Sequence, residues 1–146
     1  MNEQHVKSMI RDFLKAWTSG DFEKPLSLLH EDCIWVSPQG TFKGIEQIEK
    51  YLRWVLDINQ GFAVTETGLG ILVQGDIGVI EHELSGTFNG EKWVLPSVCI
   101  WEFKDGKISA LRTFNDVLGQ AHQVAKGPVE KLAVNSILKA SRAGLE

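Results

Sequence analysis

Apolar residues recur at helical spacing in the first part of the chain and alternate in the second. Over residues 4–18, Val6, Met9, Ile10, Phe13, Leu14 and Trp17 fall on one face, which predicts an amphipathic helix. Gly20 can take the left-handed conformation that closes it. Asp21 can cap a short second helix, with Pro25 in its first turn and Leu26, Leu28 and Leu29 on its apolar side. Residues 33–37 form a short β-type run that ends at the turn Pro38-Gln39-Gly40. After Gly44 a helix over 45–59 carries one stripe of Ile45, Ile48, Leu52 and Val55 and a second of Tyr51, Trp54 and Ile58, so it should be well buried.

Beyond Gly61 the period changes from 3.6 to 2. Strand-like runs cover 62–73, 77–88, 92–104 and 107–115, separated by Gln74-Gly75-Asp76, Asn89-Gly90 and Asp105-Gly106. Asn-Gly and Asp-Gly are strong hairpin signals, because both central residues of a type I′ turn need positive φ; the runs therefore predict an antiparallel meander. A helix over 117–125 can be capped by Asn115 or Asp116. Gly127-Pro128 separates it from a last helix over 129–140, with Val129, Leu132, Ala133, Ile137 and Ala140 on its apolar face. Helices, then an antiparallel sheet, then helices make an α+β fold. The organisation expected is one domain over 1–126 with a helical extension of that domain over 127–146. Helices packed on the concave side of one twisted sheet leave a cone that can hold a ligand.

A chain of 146 residues fits one domain. Its 15 Lys and Arg against 19 Asp and Glu give a net charge of −4, with no dense basic cluster, which argues against nucleic acid as a partner. No apolar run approaches the ~20 residues that cross a bilayer, so no membrane partner is expected. The N-terminus, MNEQHVKSMIRDF, has no apolar leader, and the two cysteines, Cys33 and Cys99, are far apart. They read as reduced thiols of a cytoplasmic protein. No phosphate loop, dinucleotide fingerprint or nucleophile elbow is present, and no cofactor is expected. The run His30-Glu31-Asp32 fails as a metal site, because three sequential residues rarely converge on one ion.

In the run 77–88, alternation puts Gly78, Ile80, His82, Leu84, Gly86 and Phe88 on one face and Glu81, Glu83, Ser85 and Thr87 on the other. His82 lies in the middle of the apolar, inward row. It is either a cavity acid or base or a core histidine satisfied by a neighbour. Thr113 and Asn115 alternate on the last strand and can line the same space, although Asn115 can instead cap the helix that follows. Cys99 is mid-strand, where a free cysteine is commonly inert packing. Five Trp and seven Phe exceed what core filling needs; Phe13, Trp17, Trp35, Trp54 and Trp101 can wall an apolar pocket or simply fill the core.

Four stretches in this order resemble the nuclear transport factor 2-like superfamily, in its SnoaL-like and ketosteroid-isomerase-like branch. They are Phe13-Leu14-Lys15-Ala16-Trp17-Thr18-Ser19-Gly20-Asp21, His30-Glu31-Asp32-Cys33-Ile34-Trp35, Gly40-Thr41-Phe42-Lys43-Gly44, and Phe103-Lys104-Asp105-Gly106-Lys107-Ile108 followed by Arg112-Thr113-Phe114-Asn115-Asp116. The resemblance covers residues 4–118 and implies the cone-shaped fold of that superfamily. It implies no single activity, since such folds serve isomerases, epoxide hydrolases, dehydratases, cyclases and pure binding modules. Where the steroid isomerases carry Tyr, Asp and a protonated Asp, this chain has Phe13, Ser37 and Cys99. Where the limonene-type epoxide hydrolases carry Asp-Arg-Asp with a Tyr/Asn pair, it has Thr113, His82, Leu84, Trp35 and Ser37. Both specific activities lose their carboxylates.

The family position strengthens His82 as a functional group and brings in Trp35 and Ser37, the latter otherwise a turn-capping residue. The reading is a small-molecule cavity protein: a cofactor-independent isomerase, dehydratase or cyclase moving a proton through His82 on a hydrophobic substrate. Trp17, Trp35, Ser37, Trp54, Cys99, Thr113 and Asn115 would contact that substrate. The alternative is a non-catalytic, dimeric ligand-binding or protein-interaction module. In either case the resemblance implies a homodimer formed through the outer face of the sheet.

Overall fold

Asn2 opens the first helix, α1 (Glu3–Thr18): its side chain accepts from the backbone N–H of His5 at 2.8 Å. The computed structural model describes residues 1–145. α1 buries Val6, Met9, Ile10, Phe13 and Trp17, the face that the spacing predicts. The short α2 (Glu23–Leu28) follows, with the Asp21 carboxylate accepting from the Lys24 N–H at 3.1 Å.

β1 (Leu29–Ser37) turns back into β2 (Gly40–Lys43), which pairs with it from Ser37↔Gly40 to Ile34↔Lys43. Sequence reading takes residues 40–43 as a lead-in to the helix; four residues are too few to show an alternation. α3 (Gly44–Ile58) buries Ile48, Tyr51, Leu52 and Val55, but Trp54 is 44% exposed, so the wide buried arc expected of this helix is narrower than its composition suggests.

The meander is β3 (Gln60–Gln74), β4 (Ile77–Phe88), β5 (Glu91–Lys104) and β6 (Lys107–Asn115). Asn89-Gly90 and Asp105-Gly106 both take positive φ at each residue, as type I′ hairpins require. β3 is not the regular strand that alternation predicts: its register with β4 jumps between Glu66 and Ile71, with Gly68 and Gly70 at positive φ. Arg11 of α1 clamps Glu66 through two bonds of 3.0 and 2.8 Å, and Glu81 accepts from the Leu69 N–H, fixing the bulge.

The six strands lie in the order β2-β1-β6-β5-β4-β3. β1 pairs parallel with β6, so the sheet is mixed rather than wholly antiparallel. The chain between them, through α3 and the meander, supplies the long connection that a parallel pair needs. α1 crosses the concave face so closely that a Cβ on Gly78 would stand 2.6 Å from Ile10 Cδ1.

α4 (Val117–Val124) is capped by Asp116, not Asn115: the Asp116 carboxylate accepts from the Gly119 N–H at 2.8 Å. The Gln123 amide ties α4 to the sheet by bonding both the N–H and the C=O of Val94. α5 (Pro128–Ser141) packs against α4. Its predicted apolar face stays in solvent, with Val129 78% and Leu132 69% exposed. Among the described residues no helix is long and apolar enough to cross a membrane.

Candidate functional site

Strand register builds the floor of the cone. Two cross-strand rows lie side by side on the concave face: Ile80, Cys99 and Thr113 in one, His82, Ser97 and Asn115 in the next. Directly opposed residues of neighbouring strands share a face, so these rows gather the polar groups of three strands. A further strand contributes Trp35, whose indole N–H donates to Thr113 Oγ1 at 2.9 Å.

From there a chain of polar contacts continues across the strands. Thr113 Oγ1 accepts from Trp35 and lies 3.2 Å from Cys99 Sγ, a contact in which its O–H can donate to the sulfur or its second lone pair accept from the thiol. Cys99 Sγ lies 3.8 Å from His82 Nε2. At the far side, His82 Nδ1 is 3.3 Å from the carbonyl oxygen of Ile80. A carbonyl only accepts, so Nδ1 carries the proton and Nε2 keeps its lone pair towards the thiol. Burial also pulls the His82 pKa below its ordinary value, against a smaller opposing effect of the Ile80 carbonyl. Burial pushes the Cys99 thiol up to about 12, partly offset by the Thr113 hydroxyl. At neutral pH the pair is a neutral imidazole and a neutral thiol.

Above this floor is a cavity of about 410 Å³. All five tryptophans line it, together with apolar residues of α3, β3, β4 and α4. No Asp, Glu, Lys or Arg among the described residues does so. At one rim Phe42, Tyr51 and Trp54 stack in succession, with centroid separations of 4.3 and 6.1 Å; β2 is the element that brings in Phe42.

Gln39 Oε1 accepts from the Tyr51 hydroxyl at 3.1 Å and from Ser37 Oγ at 3.3 Å, which leaves the Gln39 Nε2 donors outside that pair of contacts. Elsewhere in the lining, and buried, Trp93 Nε1 donates to Asn59 Oδ1 at 3.1 Å, while Asn59 Nδ2 donates to the Val55 carbonyl and ties the end of α3. Two buried polar atoms of the lining residues have no partner among the described residues: Trp101 Nε1 and Asn115 Oδ1. Polar groups left so are costly in an apolar wall.

Of the residues singled out from sequence, His82, Trp17, Trp35, Trp54, Cys99, Thr113 and Asn115 all line this one cavity. Ser37 does not: its hydroxyl accepts from the Gln39 N–H at 3.2 Å and closes its own turn, and Gln39 reaches the cavity in its place. Phe13 is also outside the lining, fully buried against Trp101 at 5.1 Å. Sequence reading overlooks Gln39, Tyr51 and Asn59. Gln39 and Asn59 sit at element ends, where no period applies. Among the described residues no group of three or more His, Cys, Asp or Glu is gathered to hold a metal.

Helices closing a curved sheet around an apolar, uncharged chamber define the cone-shaped architecture expected of nuclear transport factor 2-like proteins. The chain belongs to the SnoaL-like domain family, whose model matches residues 10–111; α4 and α5 lie beyond the matched part. Solved structures agree in fold. A putative polyketide cyclase from Xanthomonas campestris pv. campestris is 20% identical with a TM-score of 0.76, covering 86% of this chain and 100% of its own. A hypothetical protein with a ketosteroid-isomerase-like fold from Catenulispora acidiphila, in complex with trimethylamine, is 20% identical with a TM-score of 0.72, covering 79% and 90%. TerC, co-crystallised with polyporic acid, is 24% identical with a TM-score of 0.70, covering 78% and 93%. The sequence matches no curated protein.

Proposed function

We propose that the protein binds an uncharged, hydrophobic, ring-bearing small molecule in the cone and moves a proton on it through His82, as an isomerase, dehydratase or cyclase without a cofactor. One observation carries the reading: a neutral imidazole in the wall of an apolar cavity, its Nδ1 proton committed to Ile80 and its Nε2 lone pair left as a base. Thr113, Cys99 and Asn115 supply the uncharged hydrogen-bonding groups beside it, and the tryptophans supply flat walls. The family, and a neighbour described as a putative polyketide cyclase, are in keeping with a cyclase- or isomerase-type reading. Homodimerisation through the outer sheet face and a cytoplasmic location belong to this proposal.

Five tryptophans around the cavity make intrinsic fluorescence the readout. Titration with 2-tetralone, an uncharged fused-ring ketone, should quench it saturably. The anionic 2-naphthoate should bind at least about tenfold more weakly, since no cation meets its carboxylate and desolvating it is costly. Equal binding of the two, or no quenching by either, would contradict the reading.

A second reading rests on the outer face. Phe114 is 57% exposed there, with Val36, Leu72, Val94 and Val98 also exposed on the convex side of the sheet. That surface fits a dimeric binding module whose cavity holds a ligand without converting it.

A further inference from the structure

We propose that Cys99 is a covalent capture site for uncharged α,β-unsaturated carbonyl compounds, with His82 Nε2 taking the thiol proton as the carbon–sulfur bond forms. The inference rests on the cavity being a ligand site, not on His82 turning a substrate over. Three observations converge on it. The thiol is in the cavity wall, 3.8 Å from an imidazole nitrogen whose lone pair faces it. Thr113 Oγ1, 3.2 Å from the sulfur, can turn its O–H to donate to it as negative charge builds there, while Trp35 Nε1 holds the hydroxyl oxygen in place. Two residues along the same strand and on the same face, Trp101 is 1% exposed, lines the same cavity and carries an indole N–H without a partner among the described residues. Such an orphan donor asks for an acceptor oxygen, and a ligand carbonyl is one.

The step balances without oxidant or reductant. Sγ attacks the β-carbon, the C=C pair moves through the carbonyl to give an enolate, and the thiol proton passes to Nε2. The same proton then returns from Nε2 to the α-carbon, leaving a neutral thioether. Burial holds the thiol protonated near neutral pH, so the sulfur has to shed its proton as it attacks, and Nε2, 3.8 Å away, is the base within reach. Cys33 provides an internal control. It is also buried and also pushed up to about 12, but it does not line the cavity.

The test is the intact mass of the native protein with N-phenylmaleimide, a flat, uncharged, irreversible acceptor, followed by peptide mapping. One adduct per chain on Cys99 is the expected result, with Cys33 unmodified and the iodoacetate anion reacting with neither. His82→Gln should slow capture about a hundredfold, the scale of general-base assistance. Should that variant not fold, the pH profile of the wild-type rate decides. The titratable groups of the cavity wall are His82, Cys99 and Tyr51. Assistance by His82 gives a rate that levels off once the imidazole is neutral, whereas a free-thiolate reaction keeps rising towards the thiol pKa near 12.

Equal labelling of both cysteines, a rate unchanged in His82→Gln, or a continuous rise with pH would overturn the proposal. No adduct in protein that still binds 2-tetralone would overturn the covalent step alone. No adduct and no 2-tetralone binding would overturn the ligand-site reading and capture with it.

Discussion

His82 is 2% exposed in a chamber without a charged wall, and this sets its acid–base behaviour. Its native pKa lies below the ordinary 6.5 because burial disfavours the imidazolium. As pH falls through 6.5, the unfolded chain takes up the proton and the native one does not. Stability should therefore drop between 6.5 and the depressed native value, a slope that denaturant titrations at several pH values would show and that His82→Gln should remove. A stability flat across that window in the wild type would mean a freely hydrated imidazole. The cysteines act at the other end. Both thiols hold their protons up to about 12 in the native state, against 9.0 otherwise, so unfolding releases protons above pH 9 and stability should fall as pH rises further. Cys33→Ala should lessen that fall. The sequence shows most of this cluster, because strict alternation in β4, β5 and β6 fixes which side chains face inward. It does not show the chain of contacts from Trp35 through Thr113 and Cys99 to His82, which depends on register between strands, nor the role of Ser37, whose place in a turn decides where its hydroxyl goes.

The helices and hairpins of this chain are legible where a period or a turn signal is long enough. α1 and the two Asn-Gly and Asp-Gly hairpins follow their residues directly. β2 is too short to alternate, the β3 bulge interrupts a pattern that still looks regular, and the parallel pairing of β1 with β6 joins segments that no local signal relates. The close crossing of α1 over β4 is a consequence of Gly78. Gly78→Val should destabilise by about 1–3 kcal/mol through overpacking, since Ile10 and Val6 already occupy the space of a side chain. Chemical denaturation would measure it, and an unchanged midpoint would mean that α1 can move away at no cost. α5 buries little of its own apolar face and packs against α4, which lines the cavity. Truncation before Gly127 should change ligand affinity or dimerisation with the fold intact by circular dichroism; unchanged binding and mass would assign α5 no part in either.

As a molecule, the protein presents two apolar surfaces of different kinds. The concave one is enclosed by helices and holds about 410 Å³ of space; the convex one is open, centred on Phe114 and its strand neighbours. An exposed apolar face of a sheet is a surface for association. Phe114→Glu should turn a dimer into a monomer in sedimentation equilibrium while leaving the 2-tetralone titration within about twofold, because the two faces are separate sides of one sheet. A wild-type protein that is monomeric at high concentration would contradict the pairing. The claim that matters most is that His82 moves protons on a carbon skeleton held in the cone, and it needs no knowledge of the natural substrate. With 2-tetralone bound in D₂O, the hydrogens next to its carbonyl should exchange for deuterium at a saturable rate above that of buffer, read by mass spectrometry or NMR. His82→Ala should retain the ligand and lose the exchange. Bound ligand whose hydrogens exchange no faster than in buffer, or exchange that persists undiminished in His82→Ala, would contradict the account.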